Sequence, residues 1–303
     1  HAPVAAMPLP HHAALLLAEA VCLLRPFRGF RAAFAVTITA CNLPVFIARK
    51  ARSLEFSFPP HRIRITHATA AALLDEVSDR LTRGEGFALA TINLDHLAKL
   101  RGDAAFRAAY AAQDLVVADG NPVVWLSRLA GRPVQLVPGS DMVVPLARAA
   151  ADAGVGVALL GATDQALSAA AEALGARVPG LAIVARLAPP MGFDPTGPQA
   201  EALMAELERS GARLCFLALG APKQELFAAR ARARLPAVGF ASIGAGLDFL
   251  AGSQRRAPQW MRVLALEWLW RLMSNPARLA PRYARAAMVL PGQMLEAWRI
   301  RRR

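Results

Sequence analysis

An α/β fold with a doubly wound, mostly parallel sheet (Rossmann-like) and a C-terminal helical appendage is the architecture this sequence predicts. Three observations lead there. Six short apolar runs alternate with stretches of helical periodicity, the pattern of strand–helix–strand units. Some runs, such as Leu214-Cys215-Phe216-Leu217-Ala218-Leu219, are apolar at every residue, as strands buried on both faces are. The chain has 303 residues and is 55% hydrophobic, enough for one large α/β domain or two smaller ones.

The alternation begins at Ile63. Residues 68–83 read as a helix, with Leu73, Leu74, Val77 and Leu81 on one face. A strand at 87–92, a helix at 94–112 and a strand at 115–118 follow. Helices come next at 122–129, opened by Pro122, and at 140–153, preceded by Pro138-Gly139. Strand 155–160, helix 165–174 and strand 181–187 lead to a break at Pro189-Pro190. Helix 199–210, strand 213–219, helix 222–232, strand 238–242 and a short helix at 247–251 complete the core. Beyond Gly252 strand-like runs cease. Residues 258–273 and 276–299 read as helices, the second interrupted at Pro291-Gly292. Three domains are expected: an N-terminal extension at 1–60, the α/β core at 61–251 and a basic helical appendage at 252–303.

Charge follows the same division. Residues 1–60 hold six Lys/Arg and two acids, residues 252–303 hold eleven Arg and two acids, and the middle holds eighteen of each sign. The basicity behind the formal charge of +13 therefore belongs to the ends. A basic end that also carries Trp260, Trp268, Trp270 and Trp298 fits an anionic lipid, a phosphate or a nucleic acid. Residues 13–24 and 32–48 are apolar, but Glu19, Asn42 and Pro44 keep both short of the ~20 clean residues of a spanning helix. Cys22, Cys41 and Cys215 lack disulfide or zinc spacing, which points to a reduced compartment.

Open α/β sheets bind ligands at the carboxyl ends of their strands, and four such ends carry polar residues. In Asp119-Gly120-Asn121-Pro122 a β-branched run ends on a carboxylate. Asp119 is read as a catalytic base, because Asn121, directly before Pro122, competes for the helix cap and frees it. Thr91 and Asn93 end an earlier strand and either cap the next helix or bind ligand, with Asp95 another cap candidate. His96 reads as a packing histidine. Gly139-Ser140-Asp141 opens a helix as an anion cradle or as a plain capping turn. In Gly220-Ala221-Pro222-Lys223-Gln224-Glu225, Lys223 opposes the dipole of its own helix, a placement that a phosphate or sugar would explain. Gly244-Ala245-Gly246 is a further loop that allows close backbone approach.

Several chemistries find no support. The chain has no G-x-x-x-x-G-K-[ST] phosphate loop, no G-x-S-x-G elbow and no D-x-D pair, and Gly154-Val155-Gly156 precedes its strand, unlike a dinucleotide fingerprint. No metal and no cofactor are expected. A diphosphate would then need cationic partners, for which Arg255, Arg256, Arg262, Arg271, Arg278, Arg282 and Arg285 are candidates.

TINLDHL at 91–97, ADGNPVVWLSRLAGRPV at 118–134, VPGSD at 137–141, GAPKQE at 220–225, SIGAGLDFLAG at 242–252 and the run from Arg255 to Tyr283 together resemble the WecG/TagA/CpsF glycosyltransferases. The resemblance covers about residues 63–285. It implies an inverting, metal-independent transferase that moves a sugar from a UDP-sugar donor to a lipid-linked (polyprenyl diphosphate) acceptor. Such an enzyme would be peripheral on the cytoplasmic face of the cell membrane. It places the base on Asp119 and catalytic positions on Thr91, Asn93 and Gln224. Substrate contacts fall on Gly120, Asn121, Gly139, Asp141, Gly220, Lys223, Glu225, Gly244 and Asp248, and diphosphate contacts on Arg256, Arg271, Arg278 and Arg282. Two departures stand out: Leu136, where many members have arginine, and Arg262-Val263, where many read Gln-Arg. An anionic membrane surface and a homo-oligomer are the further partners, and nucleic acid is not among them. The rival readings are a polyanion-binding module, a nicotinamide-dependent oxidoreductase and an inactive family member.

Overall fold

The computed structural model describes residues 53–254 and 256–302. In chain order these form β1 (Glu55–Phe58), β2 (His61–Arg64), α1 (Ala70–Arg83), β3 (Phe87–Ile92), α2 (Leu94–Gly102), α3 (Ala104–Ala111), β4 (Leu115–Ala118), α4 (Asn121–Leu129) and α5 (Gly139–Asp152). Then come β5 (Val157–Gly161), α6 (Asp164–Arg177), β6 (Ile183–Leu187), α7 (Pro198–Ser210), β7 (Leu214–Ala218), α8 (Lys223–Arg234) and β8 (Gly239–Ser242). The chain closes with α9 (Gly246–Leu250), α10 (Gln259–Val263), α11 (Glu267–Ser274) and α12 (Pro276–Arg301).

β3 to β8 make one sheet in the order β4-β3-β8-β7-β5-β6, every pair parallel. Side chains alternate across it. Phe87, Leu89, Leu115, Val117, Leu159 and Phe216 pack with α1, α5 and α6 on one face. On the other, Ala90, Ile92, Val116 and Ala118 meet α2, α3 and α4, and Ala158, Leu160, Cys215 and Leu217 meet α7 and α8. Burial on both faces explains why these strands are almost wholly apolar. Because all six run the same way, their carboxyl ends share one rim. The strand order sets β4 and β7 three spacings apart on it, about 14 Å.

Three features depart from the sequence reading. The first is an antiparallel β1–β2 hairpin over residues 55–64, not expected from the sequence, whose Phe56, Phe58 and Ile63 are buried with α2 and α3. Thr66 just beyond it bonds to Val116 in both directions and covers part of the β4 edge. The second is a break in the helix expected over 94–112. Asp103 is extended (φ −117°, ψ 106°) and its carboxylate accepts from Phe106 N, so Gly102-Asp103 ends one helix and caps the next.

The third lies in the C-terminal helices. Residues 258–273 divide at Leu264-Ala265-Leu266, with Ala265 at φ +60°. The expected break at Pro291-Gly292 is absent, and α12 runs unbroken through Pro281 and Pro291. Tertiary packing overrides the prolines: Ala286, Val289, Gln293 and Ala297 form one buried stripe against the α2/α4 side of the core. At Gly292 a Cβ would stand 3.1 Å from the Arg101 guanidinium. The described residues form one compact unit. The apolar stretches at 13–24 and 32–48, Cys22, Cys41 and Arg255 lie outside the described residues.

Candidate active site

Asp119 follows the last residue of β4, and its N–H bonds to Ile92 O at 2.8 Å, which ties the ends of β3 and β4 together. Its side chain is partly exposed and caps no helix. The N-cap of α4 is Gly120, at φ +97° with no side-chain bond, and Asn121 is already helical. This corrects the expected competition: neither side chain is spent on capping, because glycine takes the strained turn. Burial pushes the Asp119 carboxyl up to about 6, against the Arg271 guanidinium and a hydrogen bond from Asn93, which lower it; Glu267 and Asp141 add to the rise.

Asn93 serves two neighbours. Its Oδ1 accepts from His96 N at 3.0 Å and caps α2, which leaves its amide N–H groups for Asp119. The capping alternative therefore holds for this residue, and its amide is turned to Asp119 as well. Asp95 is not a cap. It sits in the first turn of α2 and pairs with Lys99 at 2.8 Å and Arg282 at 2.9 Å. These cations hold its carboxyl below the ordinary range although burial, the largest influence, acts the other way. Lys99 Nζ also donates to Ala221 O at 2.9 Å, so α2 fastens the turn after β7. His96 is buried, bonds to Tyr110 Oη at 3.1 Å, and is driven down to about 3 chiefly by burial, which keeps it neutral.

On the other half of the rim, Gln224 is buried in the first turn of α8. Its Oε1 accepts from Gly244 N at 3.3 Å and its Nε2 donates to Glu225 Oε1 at 2.8 Å. The turns after β7 and β8 are thus joined. Arginines from the C-terminal segments close the ensemble. Arg256 and Arg271 lie over the Phe249 ring, 5.9 and 5.8 Å from its centroid. Arg256 also pairs with Asp141. Around Asp119 the rim thus gathers a raised carboxyl group, the Asn93 amide and the Arg271 guanidinium, groups of the kind that move protons and receive anions.

The model of the glycosyl transferase WecG/TagA/CpsF family matches residues 59–303. The chain belongs to this family. Among curated relatives, it is similar to an N-acetylglucosaminyldiphosphoundecaprenol N-acetyl-beta-D-mannosaminyltransferase of Bacillus spizizenii, 29% identical over 175 residues. That match takes in 57% of this chain and spans 65% of the relative's length.

Not every residue expected at the family's site reaches the rim surface. Glu225, expected among the substrate contacts, is fully buried. Gly139 is a packing glycine, since a Cβ there would stand 3.1 Å from Ile243 Cα and 3.3 Å from Thr91 Cγ2. Asp248 holds the turn that leads to Arg256, accepting from Gln254 Nε2 at 2.9 Å and from Ser253. Arg282 is committed to Asp95, and Arg278 is exposed on α12. Thr91 is buried at the end of β3, Lys223 is half-buried at the start of α8, and Gly220 (φ +71°) and Gly244 (φ +57°) shape the two turns. Among the described residues no group of three His, Cys, Asp or Glu side chains could hold a metal ion. Sequence reasoning missed Lys99, Phe249, Tyr110 and Gln113. Only Lys99 had a legible signal, its i,i+4 spacing from Asp95.

Proposed function

We propose that this chain transfers a sugar from a UDP-linked donor to a hydroxyl of a lipid-diphosphate-linked acceptor, with inversion at the anomeric carbon. The observation that carries the reading is Asp119: a partly exposed carboxyl group, spent on no cap, held near pH 6 and faced by Asn93 and Arg271. In the reaction the acceptor hydroxyl gives its proton to Asp119 as its oxygen bonds to the anomeric carbon. The bond from that carbon to the β-phosphate oxygen breaks, and its electron pair leaves with UDP. Arg271 and Arg256 stabilise the negative charge that develops. Asn93 and Gln224 orient sugar hydroxyls. A base near pH 6 is mostly ionised at neutral pH yet still basic enough to accept a proton.

The name of the Bacillus spizizenii relative makes N-acetylmannosamine the first donor sugar to try and N-acetylglucosaminyl-diphosphoundecaprenol the first acceptor. The test is UDP release from a panel of UDP-sugars with and without that acceptor. Acceptor-dependent release, lost in Asp119→Asn with UDP affinity retained, is the expected result. Turnover by Asp119→Asn near the wild-type rate would remove the base.

Peripheral membrane binding belongs to the same reading. Trp260, Trp268, Met288 and Trp298 are exposed beside a surplus of arginines, and no described helix is long and apolar enough to cross a membrane. Aromatic rings and arginine stems suit the headgroup layer. Truncation of α12 would strip buried Val289 and Ala297 from the core, so Trp260→Ser/Trp298→Ser is the cleaner probe. Its binding to anionic vesicles should fall, and unchanged binding refutes the surface.

A further inference from the structure

We propose that Glu225 is a positioning residue that fixes the side-chain amide of Gln224, and through it the Gly244 turn, without touching substrate. The proposal rests on the transferase reading for its effect on turnover, but not for the geometry. The Gln224 amide lies between two partners of opposite kind. Gly244 N–H can only donate, so Oε1 must face it; the Glu225 oxygen that receives Nε2 accepts. Together they exclude the flipped amide, and they leave one N–H and one lone pair of Gln224 for a ligand.

Glu225 itself is held from several sides. Its side chain has no exposure, and its backbone oxygen receives Gln113 Nε2 at 3.2 Å. Two buried oxygens of this cluster, Glu225 Oε2 and Gln113 Oε1, have no hydrogen-bond partner. Burial raises the Glu225 carboxyl to about 7, with Gln224, its own backbone N–H and Lys99 acting to lower it and Asp95 to raise it. With the proton on Oε2, Oε1 remains an acceptor for Gln224. A residue so placed is too deep to meet a sugar and is placed to aim one that does.

The test combines hydrogen exchange with kinetics on the full chain. In the wild type, one Gln224 Nε2 proton and the Gly244 amide should exchange slowly; fast, equal exchange of both Nε2 protons overturns the proposal without any variant. Glu225→Met removes the acceptor at similar volume. It should speed Gly244 exchange about 10-fold or more and lower kcat about 10–100-fold, with the UDP dissociation constant within about threefold. Glu225→Gln restores an acceptor and should recover most of both losses. In a Gln224→Leu background, Glu225→Met should cost little more. Unaltered Gly244 exchange in Glu225→Met, or a full multiplicative loss in that background, overturns the proposal. If no UDP-sugar is turned over by the wild type while exchange responds as stated, the transferase reading fails and the positioning role stands.

Discussion

Asp119 directly follows β4 and Glu225 lies in the first turn of α8 after β7, and burial lifts the carboxyl of each, to about 6 and about 7. Their surroundings differ. Asp119 keeps an open side and meets Asn93 and Arg271, whereas Glu225 is sealed under α8 with Gln113 and Gln224 around it. A raised pKa alone therefore does not mark a base. In the proposed reading, access to the rim separates the carboxyl that takes a proton from substrate from the one that only holds its neighbours in place.

The sharpest way to break this contrast is to replace each carboxyl by its amide. Asp119→Asn should lower turnover by about 10²–10⁴-fold, while Glu225→Gln should retain most of it; equal losses in a UDP-release assay would erase the distinction. Next in size is the clamp between the two halves of the rim. Asp95→Ala leaves Lys99 and Arg282 without their anion and should cost about 2–3 kcal/mol in denaturant melts. Because the native carboxyl of Asp95 lies below its ordinary value, its contribution is present above about pH 4 and fades as pH falls through the lowered native value.

The two amide swaps should agree in sign on stability. Each native carboxyl is raised, so its ionisation costs stability that is absent at low pH. For Asp119 the cost grows as pH rises from 3.8 to about 6, and for Glu225 from 4.5 to about 7. Asp119→Asn and Glu225→Gln should therefore each stabilise the fold at pH 7.5, on the order of 1–2 kcal/mol, and by little at pH 4. A melting temperature below wild type for either at pH 7.5 would contradict the assigned environment. The smallest effect is on the pH profile. Turnover should fall below about pH 6 as Asp119 gains its proton. Arg271→Ala removes a cation that lowers this pKa, so the acid limb should move to higher pH, by about half a unit. An unmoved limb would take Arg271 away from the base.

Much of the fold was legible in the chain. Apolar runs located all six strands of the parallel sheet, because the inner strands are buried on both faces and take almost no other composition, while the edge strand β6 keeps an exposed Arg186. The same rule put Asp119, Asn93 and the 220–225 turn at strand ends, and parallel strands bring such ends to one rim. Depth within that rim was not legible. Glu225 and Gln224 are adjacent polar residues of one motif, and only the packing of α8 on β3 and β8 sends the Glu225 carboxyl into the core. Partnership was equally hidden. Arg256, Arg278 and Arg282 look alike in sequence, yet one meets Asp141, one is exposed and one clasps Asp95. The unbroken run of α12 through Pro281 and Pro291 was hidden for the same reason: local preference is set by a few neighbouring residues, whereas burial against distant helices is decided only when the whole chain has folded.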